Sequence, residues 1–263
     1  MKNLTIALAI SIVLGVAFFG ISYPIFGNAQ VSEALAAVPL IGSHHLAEAL
    51  ERQSARQSLV AGRPTAIFAF EGYTVAWPYL VAFGILIAAG ITFISGFLSG
   101  VGLAFILPQS AFFAYPQIVV SVSLLVIIPA TIAGGYIAGR WIGARTRSTL
   151  HGLVIVLAVS VMSAAINAVV NYLAIIWSGA AEALQMGEVN ILDFAEGAGI
   201  SLAAFLAGGL LGFWRGNRQK MTKYLSYLLS ILPKDTGDLI VKLAYDEARG
   251  KTAAPAGAAA AAH

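Results

Sequence analysis

Between Glu71 and Arg140 the chain carries no charged side chain. A helix that crosses the ~30 Å hydrocarbon layer of a bilayer needs about 20 apolar residues. Residues 72 to 139 therefore hold two or three crossings, and two further apolar runs follow them. Water-soluble cores do not need so long a neutral stretch; lipid does, because an uncompensated charge there is costly. Of the 263 residues, 59% are hydrophobic and 10% charged, against about 25% charged in a soluble domain. The fold class that follows is all-α, a polytopic transmembrane helix bundle.

The runs divide the chain as follows. Residues 1–26 begin with Lys2 and read as a signal-anchor helix that is retained. Gly27–Asn28–Ala29 offers only a weak cleavage site, and the apolar core is longer than that of a usual signal. Residues 27–72 form a polar segment in which Ser43 caps a helix starting at His44, and Gly62–Arg63–Pro64 stops it. This segment is too short to be an independent domain and reads as a small extracytoplasmic cap. The bundle proper is 73–214. Breaks at Ser95–Gly96 and Ala114–Tyr115–Pro116 divide its neutral part into Tyr73–Ile94, Phe97–Phe113 and Pro116–Gly139, with Pro129 breaking the last. Gly152–Ser178 and Gly197–Trp214 complete it. Six spans are favoured; a single helix from Tyr73 to Leu107 would leave five.

Charge parity favours six. Cytoplasmic loops are enriched in Lys and Arg. With six spans and the N-terminus inside, Lys2, Arg140, Arg145, Arg147 and the C-terminal basic residues share the cytoplasmic side. Of the fifteen Lys and Arg, only Arg52, Arg56 and Arg63 stay outside. Most acids, among them Glu33, Glu48, Glu51 and Glu196, then lie outside. Tyr73, Trp77, Tyr115 and Trp177 would mark the outer interface, and Trp141 and Trp214 the inner one.

Beyond Trp214 the sequence turns basic and amphipathic. Residues 215–251 read as a cytoplasmic helical hairpin. In its first helix Met221, Tyr224, Leu225, Leu228, Ile231 and Leu232 recur at helical spacing, ending at Pro233. The second, Thr236 to Arg249, presents Leu239 and Leu243. Too short to persist alone, it points to a covering surface. Met221, Tyr224, Leu225, Leu228, Leu232, Leu239 and Leu243 are thus candidates for contact with lipid or a partner. Residues 252–263, rich in Ala with Pro and Gly, read as a disordered tail.

Three features inside the membrane stand out. Glycines recur every four residues at Gly96/Gly100, Gly135/Gly139, Gly139/Gly143, Gly208/Gly212 and Gly212/Gly216. Such ridges let helix backbones approach closely. Ser160, Ser163, Asn167 and Asn171 fall on one helical face. Their amides need partners, so this face should turn into the bundle, as hydrogen-bonded glue or as the wall of a neutral-solute path. Finally, Pro108–Gln109 and Pro116–Gln117 flank a turn of the kind that lines some transport sites.

The chemistry of the chain is limited. Cysteine is absent, which excludes disulfides, thiolate metal sites and cysteine nucleophiles. Of the four histidines, His44, His45, His151 and His263, none falls within a predicted span. His44 and Glu48 share a face at i,i+4, but adjacent His44 and His45 point apart, so no metal site is expected. No cofactor, nucleophile-elbow, phosphate-loop or HExxH motif is present. No Asp, Glu, Lys or Arg is predicted within a span, which argues against an ion-driven pump. The expected role is a non-enzymatic membrane component: an accessory, scaffolding or assembly subunit. The expected partners are membrane lipids and other membrane subunits or a second copy, not nucleic acid. A channel for small uncharged solutes is the alternative. The expected location is a bacterial inner membrane with the C-terminus cytoplasmic.

Overall fold

The computed structural model describes residues 2–61, 73–106, 116–177 and 194–232. All regular structure among them is helical: α1 (Lys2–Phe26), α2 (Ala29–Ile41), α3 (Ser43–Val60), α4 (Trp77–Ile106), α5 (Pro116–Arg145), α6 (Thr149–Trp177), α7 (Ala195–Arg218) and α8 (Lys220–Ile231). Five helices are long and apolar enough to cross a membrane: α1, α7, and the Trp77–Val101, Ser123–Arg145 and Thr149–Leu173 parts of α4, α5 and α6. Their outward faces stay greasy, as lipid requires. On α1, Val13, Val16, Ile21 and Ile25 are each more than 60% exposed. The residues that α1 buries are mostly small: Ala7, Ser11, Gly15 and Ser22, besides Leu4.

The break expected at Ser95–Gly96 is not there. One helix, α4, runs straight through it. A single helical glycine costs about 1 kcal/mol, whereas a turn facing lipid would strand backbone groups at several kcal/mol each. Thr92 and Ser95 instead return their hydroxyls to the Ala88 and Ile91 carbonyls of the same helix. Pro129 likewise sits inside α5 without ending it. The Ala111–Tyr115 turn and Gln109 lie outside the described residues.

A second correction concerns residues 27–60. Gly27, at φ 61°, closes α1 by donating to the Tyr23 carbonyl at 2.9 Å. Asn28 then caps α2, its Oδ1 accepting from Val31 N–H at 3.3 Å. The residues of that weak candidate cleavage site make a helix–helix turn. From it, α2 and α3 run back along α1. Gly15 faces Ala36 and Leu40, and Asn3 donates to the Leu50 carbonyl at 3.4 Å. On its other side α2 abuts α4, where Gly90 faces Ile41 and the Ala37 carbonyl. The polar segment is therefore no cap on the far side. It returns the chain to the end that holds the N-terminus, here termed the basal end.

Several contacts define that end. Thr5 Oγ1 meets Tyr79 Oη at 2.9 Å, and Val75 N–H donates to the Arg145 carbonyl at 3.0 Å. Every described Lys and Arg stands there: Lys2, Arg52, Arg56, Arg140, Arg145, Arg147, Arg215, Arg218, Lys220 and Lys223. At the opposite end the Tyr172 and Phe194 rings meet edge-on at 6.2 Å. Tyr73 and Trp77, expected across the membrane from Trp141 and Trp214, share their end. Trp141 is only 3% exposed and packs edge-on against Phe83, with centroids 5.1 Å apart. It is a core residue rather than an interfacial anchor.

The tightest junction joins α5 to α7, which run parallel. A Cβ built on Gly135, Gly139 or Gly143 would stand 2.2, 2.0 or 2.3 Å from the carbonyl oxygens of Phe205, Gly209 and Phe213. Reciprocally, a Cβ on Gly208, Gly212 or Gly216 would meet the carbonyls of Ile132, Tyr136 and Arg140 at 2.0, 2.1 and 2.2 Å. In glycine a hydrogen occupies that direction, so each aims a Cα–H at the opposite backbone. Such contacts contribute about 0.5–1 kcal/mol each. A side chain at Gly135, Gly139, Gly208 or Gly212 would thus meet backbone across the junction. One at Gly96 would not: the nearest atom to its Cβ position is Glu33 Oε2 at 4.0 Å. Gly100, expected to extend the same ridge, is only partly buried.

Two outcomes test this architecture. Single cysteines report sidedness cleanly in a chain without native cysteine. Gln57→Cys and Thr149→Cys should react from one face of a sealed vesicle and Gly197→Cys from the other; joint labelling of 57 and 197 would refute the return of α2 and α3. Gly139→Ala or Gly212→Ala should lower stability in detergent by roughly 3 kcal/mol, because a backbone carbonyl cannot step aside. Gly96→Ala should be nearly neutral in the same melting assay.

Candidate functional site

The polar stripe on α6 lies against α7 at its centre. Ser160 and Ser163 are buried, at 0% and 3% exposure. Ser160 Oγ donates to the Val156 carbonyl at 2.7 Å, bonding back into its own helix. Asn167 is half-buried, and its Nδ2 donates to Ser201 Oγ on α7. Asn171 is exposed and donates to the carbonyl and Oδ1 of Asn167, both at 2.8 Å. Ser160 and Ser163 turn into the bundle, Asn167 only partly, and Asn171 not at all. Ser201, the partner that links the stripe to the next helix, could not be singled out from spacing because one serine in an apolar helix carries no pattern.

A second cluster forms at the basal end and was not foreseen. Arg145, the last residue of α5, has a side chain only 2% exposed. Its Nη1 donates to Glu51 Oε2 at 3.0 Å and to the Tyr73 carbonyl at 3.1 Å. Its Nη2 stands 3.5 Å from Glu48 Oε1. The guanidinium lies over the Tyr73 ring at 4.0 Å and 5.9 Å from that of Tyr227. Arg52 approaches Glu48 at 3.6 Å from the next turn of α3, so two carboxylates face two guanidiniums. Burial, reinforced by the Glu51 charge, pushes the Tyr227 phenol up to about 12; it stays a neutral wall. Charge counting had put Glu48 and Glu51 across the membrane from Arg145, and these ion pairs overturn that. Their spacing on α3, three residues apart and so on one face, was the legible signal.

Helix α8 packs over this node. Tyr224, Tyr227, Leu228 and Ile231 are buried with Ala55 of α3 and Tyr73. Arg56 donates through Nε (2.9 Å) and Nη2 to the Ser230 carbonyl, closing the last turn of α8. Of the residues expected to meet lipid or a partner, Tyr224 and Leu228 are buried inside the chain, Leu225 and Leu232 are half-buried, and Met221 is 57% exposed. Leu239 and Leu243, with the second helix of the hairpin, lie outside the described residues. On the flank of α8, Lys223 comes close to Arg140. Burial first, and then the Arg140 charge, hold its ammonium below the ordinary lysine range. Arg140 itself donates through Nη2 to Gln219 Oε1 at 3.2 Å.

His44 is buried, with Nδ1 3.0 Å from the Ile41 carbonyl and its ring edge-on to Trp141. Among the described residues, no three His, Asp or Glu side chains converge to hold a metal ion. In comparisons with known proteins the chain matches no family model, no curated protein and no solved structure.

The Arg145 node should be essential to the folded state. Arg145→Met leaves Glu48 and Glu51 facing each other and should cost about 3 kcal/mol, the lower end for a broken buried pair, because both carboxylates keep about a fifth of their surface exposed. Adding Glu48→Gln and Glu51→Gln should restore part of the loss. Tryptophan fluorescence during thermal unfolding reads both, and additive losses would refute the coupling.

Proposed function

We propose that this chain is a non-enzymatic integral membrane protein acting as an accessory, scaffolding or assembly subunit, joined to another membrane protein or to its own copies. One observation carries the reading. Helix α8 has a wider apolar arc than the described residues cover. Tyr224, Tyr227, Leu228 and Ile231 are closed against α3 and Tyr73. Met221, Leu225 and Leu229 form a second ridge at i, i+4 and i+8, with Met221 57% and Leu229 38% exposed. A short helix held rigidly at the basal end, with a spare apolar ridge, suits the docking of a second membrane subunit.

The charge distribution supports an orientation. With every described Lys and Arg at the basal end, the positive-inside rule favours that end as cytoplasmic. This reading places both α1's start and α8 inside the cell and is in keeping with a bacterial inner membrane. The alternative, a path for small uncharged solutes, loses support because the Asn167 and Asn171 amides already donate within α6 and α7.

Native mass spectrometry after extraction in mild detergent tests the reading. Wild type should carry a second subunit, identical or different. Met221→Glu with Leu229→Glu should release it while the monomer melts within a few degrees of wild type. A wild-type protein that is monomeric under gentle extraction, and crosslinks to nothing in intact membranes, would sink the proposal.

A further inference from the structure

We propose that the furrow between α5 and α7 at the basal end is a binding site for one anionic phospholipid, whose phosphate is held by Arg215 and Arg218. The furrow is open on its outer side, offers about 400 Å³, and is lined by Tyr136 of α5 and by Leu211, Trp214, Arg215, Arg218 and Gln219. Leu211, Trp214, Arg215 and Arg218 stand at i, i+3, i+4 and i+7, so they make one face of α7. That face looks outward: Leu211 is 61% and Trp214 57% exposed.

The order of chemistry along this face matches that of a phospholipid. Toward the bundle centre stands an aliphatic side chain, Leu211. One turn nearer the basal end stands Trp214, an aromatic with a polar edge suited to the glycerol level. Next come the two guanidiniums. Arg218 lies over the Trp214 ring at 3.7 Å, which holds the fork in place at the mouth of the furrow. Among the described residues neither Arg215 nor Arg218 has a carboxylate within ion-pairing distance. Arg145, by contrast, is matched by Glu48 and Glu51. Behind the furrow wall Arg140 is tied to Gln219, and its Nε is buried with no partner. Among the described residues, the charge gathered at this site is therefore positive.

The occupant follows from the two halves taken together. A free anion would satisfy the arginines but leave Leu211 and Trp214 unexplained. An acidic water-soluble peptide could not follow a groove whose walls are two membrane-crossing helices. A lipid with a net negative headgroup satisfies both, and a guanidinium pair suits its phosphate oxygens.

Native mass spectrometry of the whole chain, titrated with phosphatidylglycerol or with phosphatidylcholine of the same acyl chains, tests the site. Wild type should retain one phosphatidylglycerol in preference to phosphatidylcholine by roughly thirtyfold, the worth of two basic groups near an anionic lipid. Arg215→Gln with Arg218→Gln should reduce the preference to near unity. Arg147→Gln with Lys220→Gln, which removes the same charge outside the furrow, should leave it within about twofold. Equal loss in both pairs would overturn the site in favour of diffuse attraction. Displacement by millimolar inorganic phosphate would overturn the lipid in favour of a free anion. A readout on the unaltered arginines guards against misfolding. Brominated phosphatidylglycerol should quench wild-type tryptophan emission more than brominated phosphatidylcholine does, and Trp214→Phe should abolish the difference. Identical quenching by the two lipids would also defeat the proposal.

Discussion

Helices in lipid gain little by hiding apolar surface from one another, because the surrounding chains are as apolar as they are. Close contact of backbones replaces that drive, and the α5–α7 junction is where this chain achieves it. Three glycines on each helix reach carbonyls on the other. A contact of that kind leaves no freedom of register, since a shift by one residue would bring a Cβ against a carbonyl. The locked register sets Gly216 beside the Arg140 carbonyl and Gly143 beside Asn217. It therefore levels the basal ends of the two helices and brings Arg140 alongside Gln219.

From that level the rest of the basal end is built. Arg145 lies just over one turn beyond Arg140 and reaches sideways to α3. Its carbonyl takes the Val75 N–H while its guanidinium takes Glu51, Glu48 and the Tyr73 carbonyl. One residue thus fastens α5 to both the return segment and the lead into α4. Helix α8 then closes over the node, capped in turn by Arg56. The arginines of this protein divide by neighbourhood. Arg145 is neutralised and buried and holds elements together. Arg215 and Arg218 are exposed beside aromatic and aliphatic surface and, among the described residues, face no carboxylate.

The return of the chain through α2 and α3 resolves the parity of the topology in an unexpected way. Five long apolar helices alone would leave Lys2 and α8 on opposite sides. A passage made by the two shorter helices, α2 and then the more charged α3, brings them to the same side. α2 fits because Gly15 on α1 and Gly90 on α4 leave room for it. Neither helix reads as a span: α2 covers only about 20 Å at 1.5 Å per residue, and α3 is studded with charge. Helix α2 is flanked on two sides by α1 and α4.

By itself the sequence determined what the solvent dictates. Long uncharged runs had to be helices in lipid, since a single run satisfies its own backbone there only as a helix. Glycines every fourth residue had to make a smooth ridge, and the serine–asparagine stripe had to find hydrogen-bond partners. These are properties of one helix and its surroundings, and periodicity encodes them. Tertiary structure alone decided which ridge met which, that Ser95–Gly96 would stay helical, that Glu48 and Glu51 would lie beside Arg145, and that Tyr224 and Leu228 would turn inward. Each of those depends on a contact between segments far apart in the chain. Whether a glycine packs or idles, and whether a charge is paired or free, is settled by the neighbour across the gap, which local spacing does not contain.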